Sequence, residues 1–221
     1  MKTYVTRFTR RQRLEHFTVM SLFIVLSVTG LPQKFYEVSW AEALILALGG
    51  IDRVRWFHRA AGLAFATMTI AHLTVVVGRV LLGRSSLSIV PTRKDFLDAM
   101  TQIRYYLGDS EDQARFDRYD YKQKFEYWGL VFGAVIVIST GLVLLFPLLT
   151  ARFLPGAVIP AAKLAHGNEG LMAFLVVVVW HIYNAHLNPD VFPFDQTIFT
   201  GRISRDRMRH EHPLEYERLE D

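Results

Sequence analysis

Four long apolar stretches, separated by polar segments, dominate the pattern of this chain. They cover about residues 14–33, 56–82, 125–149 and 164–186. A helix needs about 20 apolar residues to cross the roughly 30 Å of hydrocarbon in a bilayer, and each stretch is near that length. The pattern therefore predicts an all-α integral membrane protein, a four-helix bundle that forms a single domain over residues 1–221.

The segments between the predicted spans carry shorter patterns. WAEALILAL, after the first span, predicts an amphipathic helix that lies in the membrane interface. DFLDAMTQIRYYLG, between the second and third spans, has apolar residues at helical spacing and predicts a helix on the inner surface. The tail, residues 188–221, begins with two prolines in NPDVFPFD, and we expect it to pack against the inner face.

Basic residues distinguish the two sides of the membrane. The first segment, MKTYVTRFTRRQR, contains Lys2 and four arginines but no acidic residue, and the connection 83–124 and the tail hold most of the other basic residues. Because cytoplasmic loops are enriched in Lys and Arg, both termini are predicted to be cytoplasmic. This topology explains the net charge of +4, so we expect membrane lipid and no nucleic acid as a partner.

Composition narrows the possible classes further. Hydrophobic residues make up 51% of the chain, which is typical of a membrane protein. No A-x-A cleavage motif follows Gly30, so we expect the first span to be retained and not removed as a signal peptide. The absence of cysteine excludes disulfides, iron–sulfur clusters, thiolate zinc sites and covalently attached haem.

The two halves of the chain repeat the same short motifs at similar spacing. RLEHF in the first half resembles KFEYW in the second, and each is followed by T-G-L, at Gly30 and at Gly141. The next span then opens with H-x-x-x-G-L, at His58 and at His166. We interpret the repeat as a parallel duplication of a helix hairpin.

Histidines in the predicted spans fall at two heights. His58 and His166 lie at the outer ends of their helices, whereas His16, His72 and His181 lie toward the inner ends. At about 1.5 Å per residue, the 14 or 15 residues between the levels separate them by roughly 21 to 22 Å. At about 100° per residue, the same spacing returns to within roughly 60° of the starting face, so both levels face the bundle interior.

Facing imidazoles at two levels indicate two b-type haems, each held by a histidine on either side of the iron. Polar groups inside a membrane are costly, so they indicate function. The glycine four residues after each outer histidine, Gly62 and Gly170, would leave room for the flat macrocycle. A single histidine more often hydrogen-bonds to a neighbouring helix, and small residues also let helices pack closely. Zinc is the other metal that binds imidazole, but no HExxH motif occurs.

With these motifs the chain resembles the dihaem cytochrome b subunits of bacterial respiratory formate dehydrogenases, with nickel–iron hydrogenase and bacterial b561 cytochromes as relatives. The similarity runs along nearly the whole chain and includes S-x-T-G, YDYKQKFEYW, HIYNA and GRISR, of which HIYNA is the most specific. The resemblance implies an outer haem held by His58 and His166 and an inner haem held by His16 and His181. It also implies the bacterial inner (cytoplasmic) membrane and a menaquinone or ubiquinone site near the inner haem, beside residues 119–123.

Two features depart from that family. His166 and His181 are one residue further apart than in the formate dehydrogenase subunits, which predicts a local bulge or a shifted ligand direction. His72 and His186 are additional histidines. The symmetry of the halves makes His72 an alternative inner ligand opposite His181, although His16 with His181 is preferred, and we expect His186 to be a surface or quinone-side residue.

A quinone site needs groups that exchange protons at its carbonyl oxygens. Asp120, Lys122 and Gln123, at the inner mouth of the third span, are candidates to polarise or protonate a quinone oxygen. Charged residues at a span end are also a normal interfacial pattern.

The sequence thus predicts a dihaem b-type cytochrome that carries electrons across the membrane. It would connect the quinone pool with a periplasmic partner subunit that contains iron–sulfur clusters or is a multihaem cytochrome c. The alternative is a free-standing b561-like quinone oxidoreductase without a dedicated catalytic partner.

Overall fold

The computed structural model describes residues 3–84, 87–189 and 191–220. Met1, Lys2 and Asp221, which belong to the predicted domain bounds and basic N-terminal segment, lie outside the described residues, as does Asp190 of NPDVFPFD. The described chain is mostly helical and has only two short strands, which confirms the all-α prediction. Its helices are α1 (Arg10–Lys34), α2 (Ser39–Ala47), α3 (Ile51–Leu81), α4 (Arg93–Tyr106), α5 (Tyr121–Leu145), α6 (Pro147–Phe153), α7 (Val158–Leu175), α8 (Thr197–Thr200), α9 (Arg205–Glu211) and α10 (Pro213–Glu220), and its strands are β1 (Tyr4–Thr6) and β2 (Arg202–Ser204).

Among the described residues, four helices are long and apolar enough to cross a membrane. They are α1, α3, α5 and α7, the last of which continues as π-helical turns to Leu187. Large apolar side chains on these helices are exposed, at 54% for Ile24, 63% for Ile70 and 66% for Val179. Exposing such side chains to water is unfavourable, whereas contact with lipid is not. The protein is therefore a multi-pass membrane protein, as the sequence predicts.

The fourth long helix changes its winding in its second half. After α7, Val176–His181 and Tyr183–Leu187 are π-helical. A π-helix bonds each residue to the fifth one along instead of the fourth, so it accommodates an extra residue within a continuous helix. His181 ends the first π-helical segment, which confirms the bulge predicted from its long spacing to His166.

The third long helix ends earlier than the apolar pattern predicts. We expected the span to reach residue 149, but α5 ends at Leu145, and Phe146 leaves the helical conformation with φ −122° and ψ 57°. Pro147 explains the break, because proline cannot donate the backbone hydrogen bond of a helix interior but is accepted in a first turn. It begins the short helix α6.

The two predicted surface segments are helical. WAEALILAL lies largely in α2, and DFLDAMTQIRYYLG lies largely in α4. A capping box begins α4, in which the side chain of Asp95 accepts from the backbone amide of Thr92 at 2.6 Å. The interfacial position of α2 remains a prediction.

The chain divides into two compact units, each assembled from separate segments. The first unit consists of Met1–Arg13, Val76–Gly129 and Asp195–Asp221, and the second of Leu14–Val75 and Leu130–Phe194. The second unit contains every histidine predicted as a ligand.

Within the first unit, the beginning and end of the chain pair as a two-stranded antiparallel sheet. Val5 in β1 lies opposite Ile203 in β2. Gly201, at the start of the GRISR motif, has a φ of +79°, and its carbonyl accepts from the amides of Arg7 and Phe8 at 2.9 and 3.2 Å. A Cβ at this position would lie 2.7 Å from the carbonyl oxygen of Phe8, so both the backbone angle and the close approach require glycine.

A buried ion-pair cluster holds the same unit together. Arg7, only 3% exposed, pairs with Glu215, which also accepts from Arg118 at 2.5 Å. His212 Nδ1 lies 2.7 Å from the carbonyl oxygen of Asp117 and must donate to it, so Nε2 accepts from Arg7 at 3.1 Å. Burial, assisted by the charge on Arg7, lowers the pKa of His212 to about 4.

We expect the first unit to lose stability as the pH falls from 6.5 toward about 4. Because the folded state lowers the pKa of His212, its contribution is complete above the unfolded pKa of 6.5 and is lost as the pH approaches the folded value. The difference corresponds to roughly 3 kcal/mol. Thermal unfolding in detergent should depend less on pH in His212→Gln than in the unaltered protein, and equal pH dependence in both would contradict the role of His212.

Candidate functional site

His58 and His166 face each other in the second unit, from α3 and α7. Their ring centroids are 6.1 Å apart, with an angle of 84° between the ring planes. An imidazole nitrogen binds a first-row metal at about 2.0 Å, and the ring centre lies about 1.1 Å beyond it, so imidazoles on opposite sides of one metal have centroids about 6 Å apart. The pair has the spacing that a shared metal requires.

His16 and His181 form a second facing pair with nearly the same spacing. Their ring centroids are 6.3 Å apart, and the ring planes are inclined at 40°. The Nδ1 atom of His16 is buried, and it has no hydrogen-bond partner in the part of the chain that the structure describes. This inner pair therefore has the separation of two ligands of one metal, with a different polar environment from the outer pair.

His72, the alternative inner ligand, lies against a carboxylate. Its Nδ1 is 3.1 Å from Oε2 of Glu15, which precedes His16 in α1. Of the three inner candidates, the structure thus brings His16 to His181 and His72 to Glu15.

The repeated T-G-L motifs lie against the outer histidines. Thr29 Oγ1 is 2.9 Å from Nδ1 of His58, and Thr140 Oγ1 is 3.2 Å from Nδ1 of His166. The carbonyl oxygen of Val137 also lies 2.9 Å from the same nitrogen of His166. Sequence reasoning recognised the motif as a repeat but missed its contact with the histidines in the following span.

The glycines of the T-G-L motifs allow the histidine rings to approach. A Cβ on Gly30 would lie 2.9 Å from Cε1 of His58, and a Cβ on Gly141 would lie 3.2 Å from Cε1 of His166. By contrast, nothing lies within 4 Å of the position of a Cβ on Gly62 or on Gly170. Among the described residues, no neighbouring helix therefore packs closely against those two glycines.

The proposed quinone residues gather at the start of α5. The side chain of Asp120 accepts from the amide of Gln123 at 2.7 Å, and the side chain of Gln123 accepts from the amide of Asp120 at 3.3 Å. This reciprocal pair caps the helix. Burial raises the pKa of Asp120, although hydrogen bonds from the backbone amides of Gln123 and Lys122 oppose the rise. The structure thus assigns Asp120 and Gln123 a structural role that the sequence analysis did not consider.

His186, the other additional histidine, stacks on an aromatic ring. Its ring centroid lies 4.3 Å from that of Phe194, with only 6° between the planes. Both residues belong to the second unit.

Comparison with known proteins decides the family. Residues 7–191 match the profile of the prokaryotic cytochrome b561 family. The chain belongs to this family. It is also 21% identical over 206 residues to the cytochrome b556(Fdn) subunit of the nitrate-inducible formate dehydrogenase of Escherichia coli K12, covering 93% of this chain and 87% of that subunit. The corresponding subunits of Escherichia coli O157:H7 and Shigella flexneri match equally well.

As a prokaryotic cytochrome b561, the protein is a membrane cytochrome of the b type that takes part in electron transfer, and its family cofactor is haem b. The residues present fit this group. Haem iron needs only two axial ligands from the protein, and each level offers two facing imidazoles. A structural zinc site needs about four side-chain ligands, and among the described residues no group of three histidines, aspartates or glutamates could hold a metal ion.

Replacing Gly30 with alanine should weaken haem binding in this cytochrome b561, because the new methyl group would displace the ring of His58. Loss of such a supporting contact commonly weakens metal binding by about tenfold or more. The effect should be smaller for Gly141→Ala, where the contact distance is longer, and absent for Gly78→Ala, where nothing lies within 4 Å of the added Cβ. Haem content after gel filtration measures this order, and equal retention by Gly30→Ala and Gly78→Ala would contradict it.

Proposed function

We propose that this cytochrome b561 binds two b haems, the outer one with His58 and His166 and the inner one with His16 and His181. The observation that carries the proposal is the presence of two facing histidine pairs at the spacing of axial ligands. With both axial positions filled, a b haem has no open iron position and exchanges single electrons.

The separation of the two levels follows from α1. This helix supplies His16 to the inner pair and, 14 residues later, places Gly30 against His58 of the outer pair. At about 1.5 Å per residue, the two levels are roughly 20 Å apart along the helix. That separation is most of the thickness of the hydrocarbon core, so the two pairs together support electron transfer across the membrane.

We propose that the chain lies in a bacterial inner membrane with both termini in the cytoplasm. The basic residues of the N-terminal segment, the connection 83–124 and the tail support this orientation. We also propose that residues 1–221 act as a single domain, because neither compact unit is built from a contiguous stretch of chain.

The partner on the outer face is proposed to be a periplasmic redox subunit with iron–sulfur clusters or several c-type haems. The distant relatives are named as cytochrome subunits of a formate dehydrogenase, which supports a partner-dependent role here. Purification in mild detergent tests this proposal: a stoichiometric redox subunit should accompany the chain. Recovery of a haem-loaded chain alone, still able to exchange electrons with quinone, would support the free-standing b561-like alternative.

We propose that menaquinone or ubiquinone is the exchange partner on the inner side, with Asp120, Lys122 and Gln123 as its site. The raised pKa of Asp120 supports proton exchange by this group. The helix cap formed with Gln123 requires a careful choice of variant, because Asp120→Ala would lose the cap together with the proton.

Asp120→Asn separates the two roles, because asparagine caps helices about as well as aspartate but carries no titratable proton. We expect Asp120→Asn to slow oxidation of a water-soluble quinol analogue by about 100-fold, the typical contribution of one acid–base group. Haem content and melting temperature should stay unchanged. Unaltered quinol kinetics in this variant would remove Asp120 from the proposed site.

A further inference from the structure

The hydrogen-bond network fixes the tautomer of His58. The hydroxyl of Thr29 donates to the carbonyl oxygen of Val25 at 2.6 Å. A hydroxyl has one hydrogen to donate, so toward His58 the same oxygen acts as an acceptor. We therefore assign the ring hydrogen of His58 to Nδ1, 2.9 Å away, which leaves the lone pair on Nε2.

The ring hydrogen of His166 is also assigned to Nδ1, on the basis of a different contact. Its Nδ1 lies 2.9 Å from the carbonyl oxygen of Val137, which can only accept. The hydroxyl of Thr140 donates to the carbonyl oxygen of Ile136 at 2.5 Å, so it too can accept from His166.

We propose that Thr29 and Thr140 are positioning residues that hold the two outer histidines with Nε2 free for iron and lower the reduction potential of the outer haem. The inference rests on the proposed function, in which His58 and His166 are the axial ligands. A hydrogen bond accepted from Nδ1–H makes an imidazole a more basic ligand. A more basic ligand favours ferric over ferrous iron, so the outer haem becomes harder to reduce.

The inner pair lacks part of this arrangement. Within the described residues, the buried Nδ1 of His16 has no acceptor. His166 has both a threonine oxygen and a backbone carbonyl beside its Nδ1, and His58 has a threonine oxygen beside its Nδ1. From the contrast between His16 and the two outer histidines, we expect the outer haem to have the lower potential of the two.

Isosteric variants test the role of the hydroxyls. Thr29→Val keeps the shape of the side chain and removes the acceptor, whereas Thr29→Ser keeps the acceptor. Thr67→Val is a matched control, because among the described residues the Thr67 hydroxyl bonds within α3, to the carbonyl oxygen of Leu63 at 2.9 Å. Optical redox titration of the purified full-length protein resolves the potential of each haem and requires no turnover.

We expect Thr29→Val to raise the potential of the lower-potential haem alone, while Thr29→Ser and Thr67→Val leave both potentials unchanged. A tenfold change in the preference for ferric iron corresponds to about 59 mV for a one-electron couple. Thr140→Val should have a smaller effect than Thr29→Val, because the Val137 carbonyl lies closer to His166 than the Thr140 oxygen does.

The possible outcomes separate this inference from the function on which it rests. Two haems with unchanged potentials in Thr29→Val would overturn the inference and leave the two-haem proposal intact. An equal shift of both haems would also overturn it, because the contact involves only the outer level. Failure of the unaltered protein to bind two haems would instead contradict the proposed function.

Discussion

Replacing His58 with alanine is expected to remove one of the two proposed haems and leave the other in place. His58 faces His166 across a centroid distance of 6.1 Å, so its loss would leave the proposed outer iron with a single axial ligand. The inner pair uses His16 and His181 and does not depend on this contact. Haem quantification on the purified chain should give half the value of the unaltered protein, and His166→Ala should give the same result.

His186→Ala is the matched control for this experiment. It also removes an imidazole from the second unit, and that ring stacks on Phe194. Both haems should remain in this variant. Loss of both haems in His58→Ala would count against two separate levels, and retention of both would remove His58 from the ligand set.

Replacing His16 with alanine is expected to remove the inner haem, whereas replacing His72 should leave both haems in place. His16 lies opposite His181 with a centroid separation of 6.3 Å, and His72 instead contacts Glu15. Both variants remove an imidazole at the predicted inner height. The structure places the ring of His16 opposite His181, but not the ring of His72. A reduced-minus-oxidised spectrum of each variant distinguishes them.

The opposite result has a definite meaning. Loss of one haem in His72→Ala, with both retained in His16→Ala, would establish the symmetric pairing of His72 with His181. In that case the contact between His72 and Glu15 would not represent the haem-loaded protein.

Local patterns were sufficient to predict the long helices and their histidines. Apolar length alone predicts α1, α3, α5 and α7, because the membrane imposes one length on every span. The extra residue between His166 and His181 predicted a bulge, and the π-helical turns confirm it. The early end of α5 at Leu145 could also have been predicted from Pro147, although the apolar pattern continues beyond that proline.

Contacts between distant segments could not be predicted in the same way. The T-G-L repeat was visible, but only the packing of helices shows that Thr29 reaches His58 and that Gly30 makes room for the ring. The pairing of His72 with Glu15 likewise depends on the rotation of two helices, which sequence spacing leaves open. The contact between Arg7 and Glu215 joins residues 208 positions apart, and no local sequence pattern predicts it.

The cap formed by Asp120 and Gln123 is a different case. Its D-x-x-Q spacing is a known signature of a helix N-terminus, so it could have been recognised from the sequence. The sequence analysis instead predicted a quinone site at these residues.

The proposed electron transfer across the membrane depends on two b haems, each held between a pair of histidines. The most direct test is a reduced-minus-oxidised visible spectrum of the purified full-length protein, combined with quantification of extracted haem against protein. The account predicts two non-covalently bound b haems per chain. A single haem per chain would contradict the two-level arrangement, and a colourless protein would contradict the account as a whole.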